Sequence, residues 1–140
     1  MKSYLLIAVL VIVSIFYAFT FAGNKIDLQA SIKRGKEVYI NSCITCHMEN
    51  GEGVKAVFPP LAKSDYLLKD KERAIKQTLY GASGPMIVNG VTYNGMMLPT
   101  QLSDQETADV MNYVYNSWGN QGPTVTPEEV KKVREATETK

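Results

Sequence analysis

The sequence predicts an all-α fold, a bundle of about four helices behind an N-terminal hydrophobic leader. Three observations predict it. Apolar residues recur at helical spacing in separate stretches, strand signals are weak, and the part beyond the leader is poor in apolar residues. Of the 140 residues 45% are apolar, and 18 of these fall within the first 22. The rest of the chain is only 38% apolar. That is thin for a compact core, so something other than side chains is expected to fill the middle.

The leader comes first. Met1-Lys2-Ser3 is a minimal positive start, and Tyr4 to Ala22 then runs 19 residues without a charge. Thr20-Phe21-Ala22 before Gly23 offers a small-residue cleavage site for a secretory signal. The run is also close to the roughly 20 residues that span a bilayer as a helix. Cleaved signal and retained membrane anchor therefore stand as alternatives for residues 1–22, and both carry residues 23–140 across a membrane. The formal charge of +1 excludes a nucleic-acid grip built on net charge and an acidic disordered chain.

Four helical stretches follow. The first runs from about Leu28 to Ser42, with Ile32, Tyr39 and Ile40 on one side and Gly35 thinning a face. A short one covers Ser64 to Leu68. The third spans about Lys71 to Tyr80, with Ile75, Thr78 and Leu79 at i, i+3 and i+4 and Gly81 where a C-terminal cap belongs. In the fourth, Ser103 and Glu106 make an S-x-x-E capping box. Met111, Val114, Tyr115 and Trp118 repeat at helical spacing and Gly119 stops it. Ile87-Val88 and Val91-Thr92-Tyr93 flank Asn89-Gly90 as a small hairpin. After Trp118 the composition turns polar. Thr126 caps a short helix with Pro127 in its first turn. Residues 119–140 thus read as a solvated tail outside a domain of residues 23–118.

The chemistry is concentrated in Cys43-Ile44-Thr45-Cys46-His47. C-x-x-C-H is the attachment pattern for c-type haem. Two thiols three positions apart add to the two vinyl groups on one porphyrin edge, and the adjacent imidazole sits under the ring to bind the iron. These are the only cysteines and the only histidine in the chain. A thioredoxin-type redox motif needs a preceding strand in a βαβ setting, and a structural zinc site needs more ligands than these three. With no second histidine, the other axial ligand is sought among the methionines. Met1 lies in the leader, Met48 is adjacent to His47, and Met111 lies on an apolar helix stripe. The loop residues Met86, Met96 and Met97 remain.

With these residues in view, residues 31–118 resemble a single-haem class I cytochrome c. The resemblance is carried by the C-x-x-C-H motif, by Phe58-Pro59-Pro60-Leu61, by Tyr93-Asn94-Gly95-Met96-Met97-Leu98-Pro99, and by the stretch from Met111 to Trp118. It implies first and last helices crossing beside the haem, with Gly35 and Tyr39 meeting Tyr113 or Val114. It implies one haem c attached through Cys43 and Cys46, with Pro59, Leu61 and Tyr93 lining the cofactor and the Pro59 carbonyl orienting His47. Gly95-x-Met points to Met97 as the second iron ligand. Leu98, inserted between the methionine and Pro99, keeps Met96 as the alternative. Phe58, Leu61, Tyr66, Leu67, Ile75, Leu79, Tyr93 and Leu98 would pack on the ring.

The function implied is one-electron transfer between protein partners: a respiratory oxidase, a reductase or a quinol-oxidising complex. The place implied is the periplasmic side of a bacterial inner membrane, with attachment through residues 4–22 if the leader is kept. A haem enzyme or gas sensor with an open distal site is the alternative, and a thiol-disulfide oxidoreductase a third reading.

Overall fold

The computed structural model describes residues 26–139. The leader, and with it the choice between signal and anchor, lies outside the described residues. Six helices and one two-stranded hairpin follow in the order α1 (Leu28–Ser42), α2 (Ile44–His47), α3 (Asp65–Lys69), α4 (Lys71–Tyr80), β1 (Met86–Val88), β2 (Val91–Tyr93), α5 (Asp104–Tyr115) and α6 (Pro127–Glu138). The fold is mainly helical, as the periodicity requires, with the hairpin its only sheet among the described residues.

Local chemistry sets most boundaries. Asp27, Ser64, Asp70, Ser103 and Thr126 each cap the helix that follows by accepting a backbone N–H with the side chain. The hairpin turns on Asn89 and Gly90, both at positive φ (49° and 76°), as a tight two-residue turn demands. Asn89 is also tied to Asp65, whose Oδ1 accepts the Asn89 N–H at 2.7 Å while the Asp65 N–H donates to Asn89 Oδ1 at 3.0 Å.

The crossing of α1 over α5 organises the molecule. Its buried α1 face is Ser31, Gly35 and Tyr39, while Ile40 is 48% exposed and so leaves the face the sequence suggested for it. Gly35 lets the two backbones touch: a Cβ there would stand 1.9 Å from the Asp109 carbonyl oxygen and 2.9 Å from Tyr113 Cβ. One turn on, the Tyr39, Tyr113 and Trp118 rings form a triangle with centroids 5.2 to 5.5 Å apart. At the other end of the crossing Asp109, only 2% exposed, accepts from Ser31 Oγ (2.6 Å), Arg34 Nε (2.7 Å), Arg34 Nη2 (2.8 Å) and Gln105 Nε2 (3.0 Å). A buried carboxylate is tolerated only with such partners.

Two expectations are corrected. Trp118 is not on α5, which ends at Tyr115. Its φ of +54° and that of Gly119 (+82°) turn the chain back, and the indole reaches the aromatic triangle from outside the helix. Residues 119–140 are not simply a solvated tail either. Val125, Val130 and Val133 are buried in one cluster with Ala74, Ile75, Leu79, Ala108, Met111 and Tyr115, so α6 closes half of the core. Asn112 fastens the approach to α6, donating to the Val125 carbonyl (2.8 Å) and accepting the Val125 N–H (2.7 Å).

Candidate functional site: the C-x-x-C-H turn

α1 ends where the motif begins. Cys43 is at once the C-cap of α1 and the N-cap residue of α2. Its carbonyl accepts the Cys46 N–H (3.2 Å) and the His47 N–H (3.0 Å), so both thiols and the imidazole project from one turn. Neither cysteine is in a disulfide, and both are half-buried. Met48 follows at φ +64°, and its carbonyl accepts the Tyr39 hydroxyl at 2.7 Å, which ties the turn to the aromatic triangle. Cys43, Ile44 and Leu61 pack against the same cluster of Tyr39, Val110 and Val114.

His47 Nδ1 lies 3.0 Å from the Pro59 carbonyl oxygen. A carbonyl is only an acceptor, so Nδ1 carries the proton and Nε2 keeps its lone pair. Burial pushes the imidazole below its ordinary pKa, against the Pro59 hydrogen bond that raises it. The ring is therefore neutral at physiological pH and able to bind a metal. Burial, then the neighbouring Cys46, pushes the Cys43 thiol up to about 11. That is the reverse of the lowered pKa by which redox-active thiols work.

The methionine loop is held at two points. Met97 is locked to Ala82 by two backbone hydrogen bonds (3.0 and 2.8 Å), and Gly81 admits this contact because a Cβ there would stand 2.2 Å from the Met97 carbonyl oxygen. Met97 is half-buried, whereas Met96 is 72% exposed. Gly95 brings the loop against the segment that follows His47: its Cβ position is 3.2 Å from the Val57 carbonyl oxygen.

The lining residues divide. Phe58, Leu61, Tyr66 and Leu67 are half-buried, as side chains shared between protein and a bound ring would be. Ile75 and Leu79 are instead covered by protein, Val130 and Val133 of α6 lying in their cluster, and Leu98 is 69% exposed. Tyr93 is buried on β2 opposite Met86. What sequence reading missed is the anchoring of Met97 by Ala82 and the seat of Trp118 over Gly51, whose added Cβ would meet the indole at 2.5 Å. Gly81 and Gly51 at positive φ are the traces of both, legible only once the partners are known.

Residues 32–118, a span that includes the motif, Pro59 and α5, match one family model, described as Cytochrome c. The chain belongs to the cytochrome c family. It is 38% identical over 127 residues to a cytochrome c-552 of Thermus thermophilus, covering 84% of this chain and 83% of that protein. It is 34% identical over 115 residues to the cytochrome c subunit of the quinone alcohol dehydrogenase of Gluconobacter oxydans. That match covers 71% of this chain and 22% of the larger protein. A third relative is the gluconate 2-dehydrogenase cytochrome c subunit of Pantoea cypripedii, 32% identical over 106 residues that make up 71% of this chain and 24% of that subunit. The likeness is to a single-haem class I cytochrome c, and the family's cofactor is covalently bound haem c.

The residues present fit that group. Two thiols and an imidazole with a free Nε2 leave one turn, and thioether side chains stand on the loop that reaches Val57. Val54 (37% exposed) and Val57 (50%) add apolar surface beside the motif, suited to a broad apolar ring. Among the described residues no helix is long and apolar enough to cross a membrane.

Proposed function

We propose that this cytochrome is a one-electron carrier between protein partners, with haem c held through Cys43 and Cys46 and its iron bound by His47 and Met97. One observation carries the reading: the only histidine of the chain donates Nδ1–H to the Pro59 carbonyl at 3.0 Å, which leaves Nε2 as its sole donor atom to a metal. The bound group supplies an iron that alternates between ferrous and ferric states. The protein's part is to fix both donor side chains in advance, so that little would move when the charge changed. Tyr39 and Pro59 hold the imidazole side, and Ala82 holds the methionine side. Pro59, Leu61 and Tyr93 are assigned to the cofactor's surroundings. With His47 and Met97 both holding the iron, no substrate would reach the metal, so the protein would be a carrier and not a catalyst on its own.

The partners on this reading are respiratory: an oxidase, a reductase or a quinol-oxidising complex. The relatives named as cytochrome subunits of dehydrogenases support a protein partner of that kind. The place proposed is the periplasmic side of the bacterial inner membrane, reached through residues 1–22 as signal or anchor.

The test is made on holoprotein expressed with a haem-attachment system. The intact mass is expected to carry one macrocycle that does not dissociate on denaturation, and the thiols are expected to be unreactive. The spectrum should be low-spin, with a weak near-infrared band from methionine sulfur bound to ferric iron, and ferrous protein should not take up carbon monoxide. A high-spin iron that readily binds carbon monoxide would mean an open distal site, hence a haem enzyme or gas sensor. Titratable thiols in colourless protein would mean a dithiol oxidoreductase.

A further inference from the structure

Pro59 and Pro60 raise a question of support. Neither has an N–H to give, so the segment that presents the Pro59 carbonyl to His47 cannot fasten itself at that point. Its ties lie on either side: upstream, Phe58 pairs with Val54 through two backbone hydrogen bonds of 2.8 Å, and downstream the segment is tied again. The Leu61 and Ala62 N–H groups both donate to the Gly51 carbonyl, at 2.7 and 2.9 Å. On the downstream side, Leu61 and Lys63 are held further by a single side chain. Asn120 Nδ2 donates to the Leu61 carbonyl (3.0 Å) and to the Val114 carbonyl (2.8 Å), and Asn120 Oδ1 accepts the Lys63 N–H (2.7 Å). Asn120 is 6% exposed, so these bonds are made away from water, where leaving them unmade is costly. The partners also fix which way the amide points: two carbonyls face the NH₂ and one N–H faces the oxygen. Lys63 is held at φ +51°, an unfavourable backbone for lysine that needs support from outside. The turn through Trp118 and Gly119 delivers Asn120 to this place, and Trp118 covers Gly51, the other anchor.

We propose that Asn120 is a positioning residue for the imidazole ligand: it clamps residues 61–63 to the end of α5 and thereby holds the Pro59 carbonyl on His47 Nδ1–H. The inference rests on His47 being the iron's ligand. It gives the segment after Trp118 a part in setting the metal's electronics. An imidazole that donates a firm Nδ1 hydrogen bond is the more electron-rich ligand and favours ferric iron. Slackening that bond raises the reduction potential.

The experiment uses ferrous, diamagnetic holoprotein and follows the His47 Nδ1 proton by NMR after transfer to deuterated water. Asn120→Asp keeps the shape but turns a carboxylate oxygen toward two carbonyls, and Asn120→Ala removes the clamp without adding charge. Both are expected to keep the low-spin spectrum, to exchange this proton about tenfold faster, as loss of about one hydrogen bond implies, and to raise the potential. Val130→Ala, which loosens α6 without touching this clamp, is the control and is expected to change neither readout. In the unaltered protein, the His47 Nδ1 proton and the Asn120 side-chain amide protons should show matching protection, since one opening releases both. Unchanged exchange in the Asn120 variants, an equal effect from Val130→Ala, or a His47 proton far less protected than the Asn120 amide overturns the clamp while His47 remains the ligand. If the unaltered protein shows no haem-bound histidine signature, the ligand assignment fails and the clamp falls with it.

Discussion

Met96 and Met97 are neighbours in the chain and opposites in their surroundings. Met96 is 72% exposed, while Met97 is half-buried and paired with Ala82 through both backbone groups. A ligand to iron must hold its sulfur against thermal motion, and a residue pinned on both sides of its Cα is the better holder. Met97→Ala is therefore expected to abolish the near-infrared sulfur-to-iron band and open the metal to carbon monoxide. Met96→Ala should leave the spectrum unchanged and stability within about 0.5 kcal/mol. Absorption spectra of the two ferric variants check this, and the reverse pattern would move the ligand to Met96. At this scale the C-x-x-C-H group was fully legible, because covalent chemistry dictates its spacing. The pairing of Met97 with Ala82 was not, since Ala82 stands 15 positions away and no local pattern announces it.

Helices and hairpin were legible wherever a local signal marks them. Caps at Ser103 and Thr126 and the Asn89-Gly90 turn act within a few residues of themselves, and the observed elements begin and turn there. The stripe ending in Trp118 misled because a period of 3.6 says where a side chain would point if the helix continued. It does not say that Gly51 offers the indole a flat seat elsewhere. The α1–α5 crossing depends on one position more than any other. A methyl group at residue 35 would lie 1.9 Å from the Asp109 carbonyl oxygen, a backbone atom that cannot swing aside. The helices would have to part, loosening the Tyr39–Tyr113 contact and the Arg34–Asp109 pair together. Gly35→Ala is expected to cost about 3 kcal/mol or more in denaturant unfolding of the holoprotein. A loss below about 1 kcal/mol would show that the crossing adapts to a Cβ.

Among the described residues the core is two clusters joined through α5, one built on the α1 crossing and one closed by α6. The second was hidden in the sequence because Val125, Val130 and Val133 are few among polar neighbours. They suffice because Ile75, Leu79, Met111 and Tyr115 present a face for them to cover. Charge holds α6 at its start: Lys71 Nζ meets Glu129 Oε1 at 2.5 Å, and Glu129 closes a capping box with Thr126. Burial pushes the Glu129 carboxyl up, but its bonds to Lys71 and Thr126 outweigh this and hold it below the ordinary carboxylate value. Because the folded pKa is the lower one, the stabilisation is complete above the ordinary value and is lost as pH falls through the depressed one. The pair is about one-third exposed, and solvent keeps its share small. Glu129→Gln should therefore be modestly less stable than the unaltered protein near neutrality. The gap should close as pH falls from the ordinary carboxylate range through the depressed value, because only the native carboxylate has this stabilisation to lose. Unfolding midpoints of the two holoproteins across that range provide the measurement. Curves that stay parallel would mean that the α6 contact is carried by its valines alone.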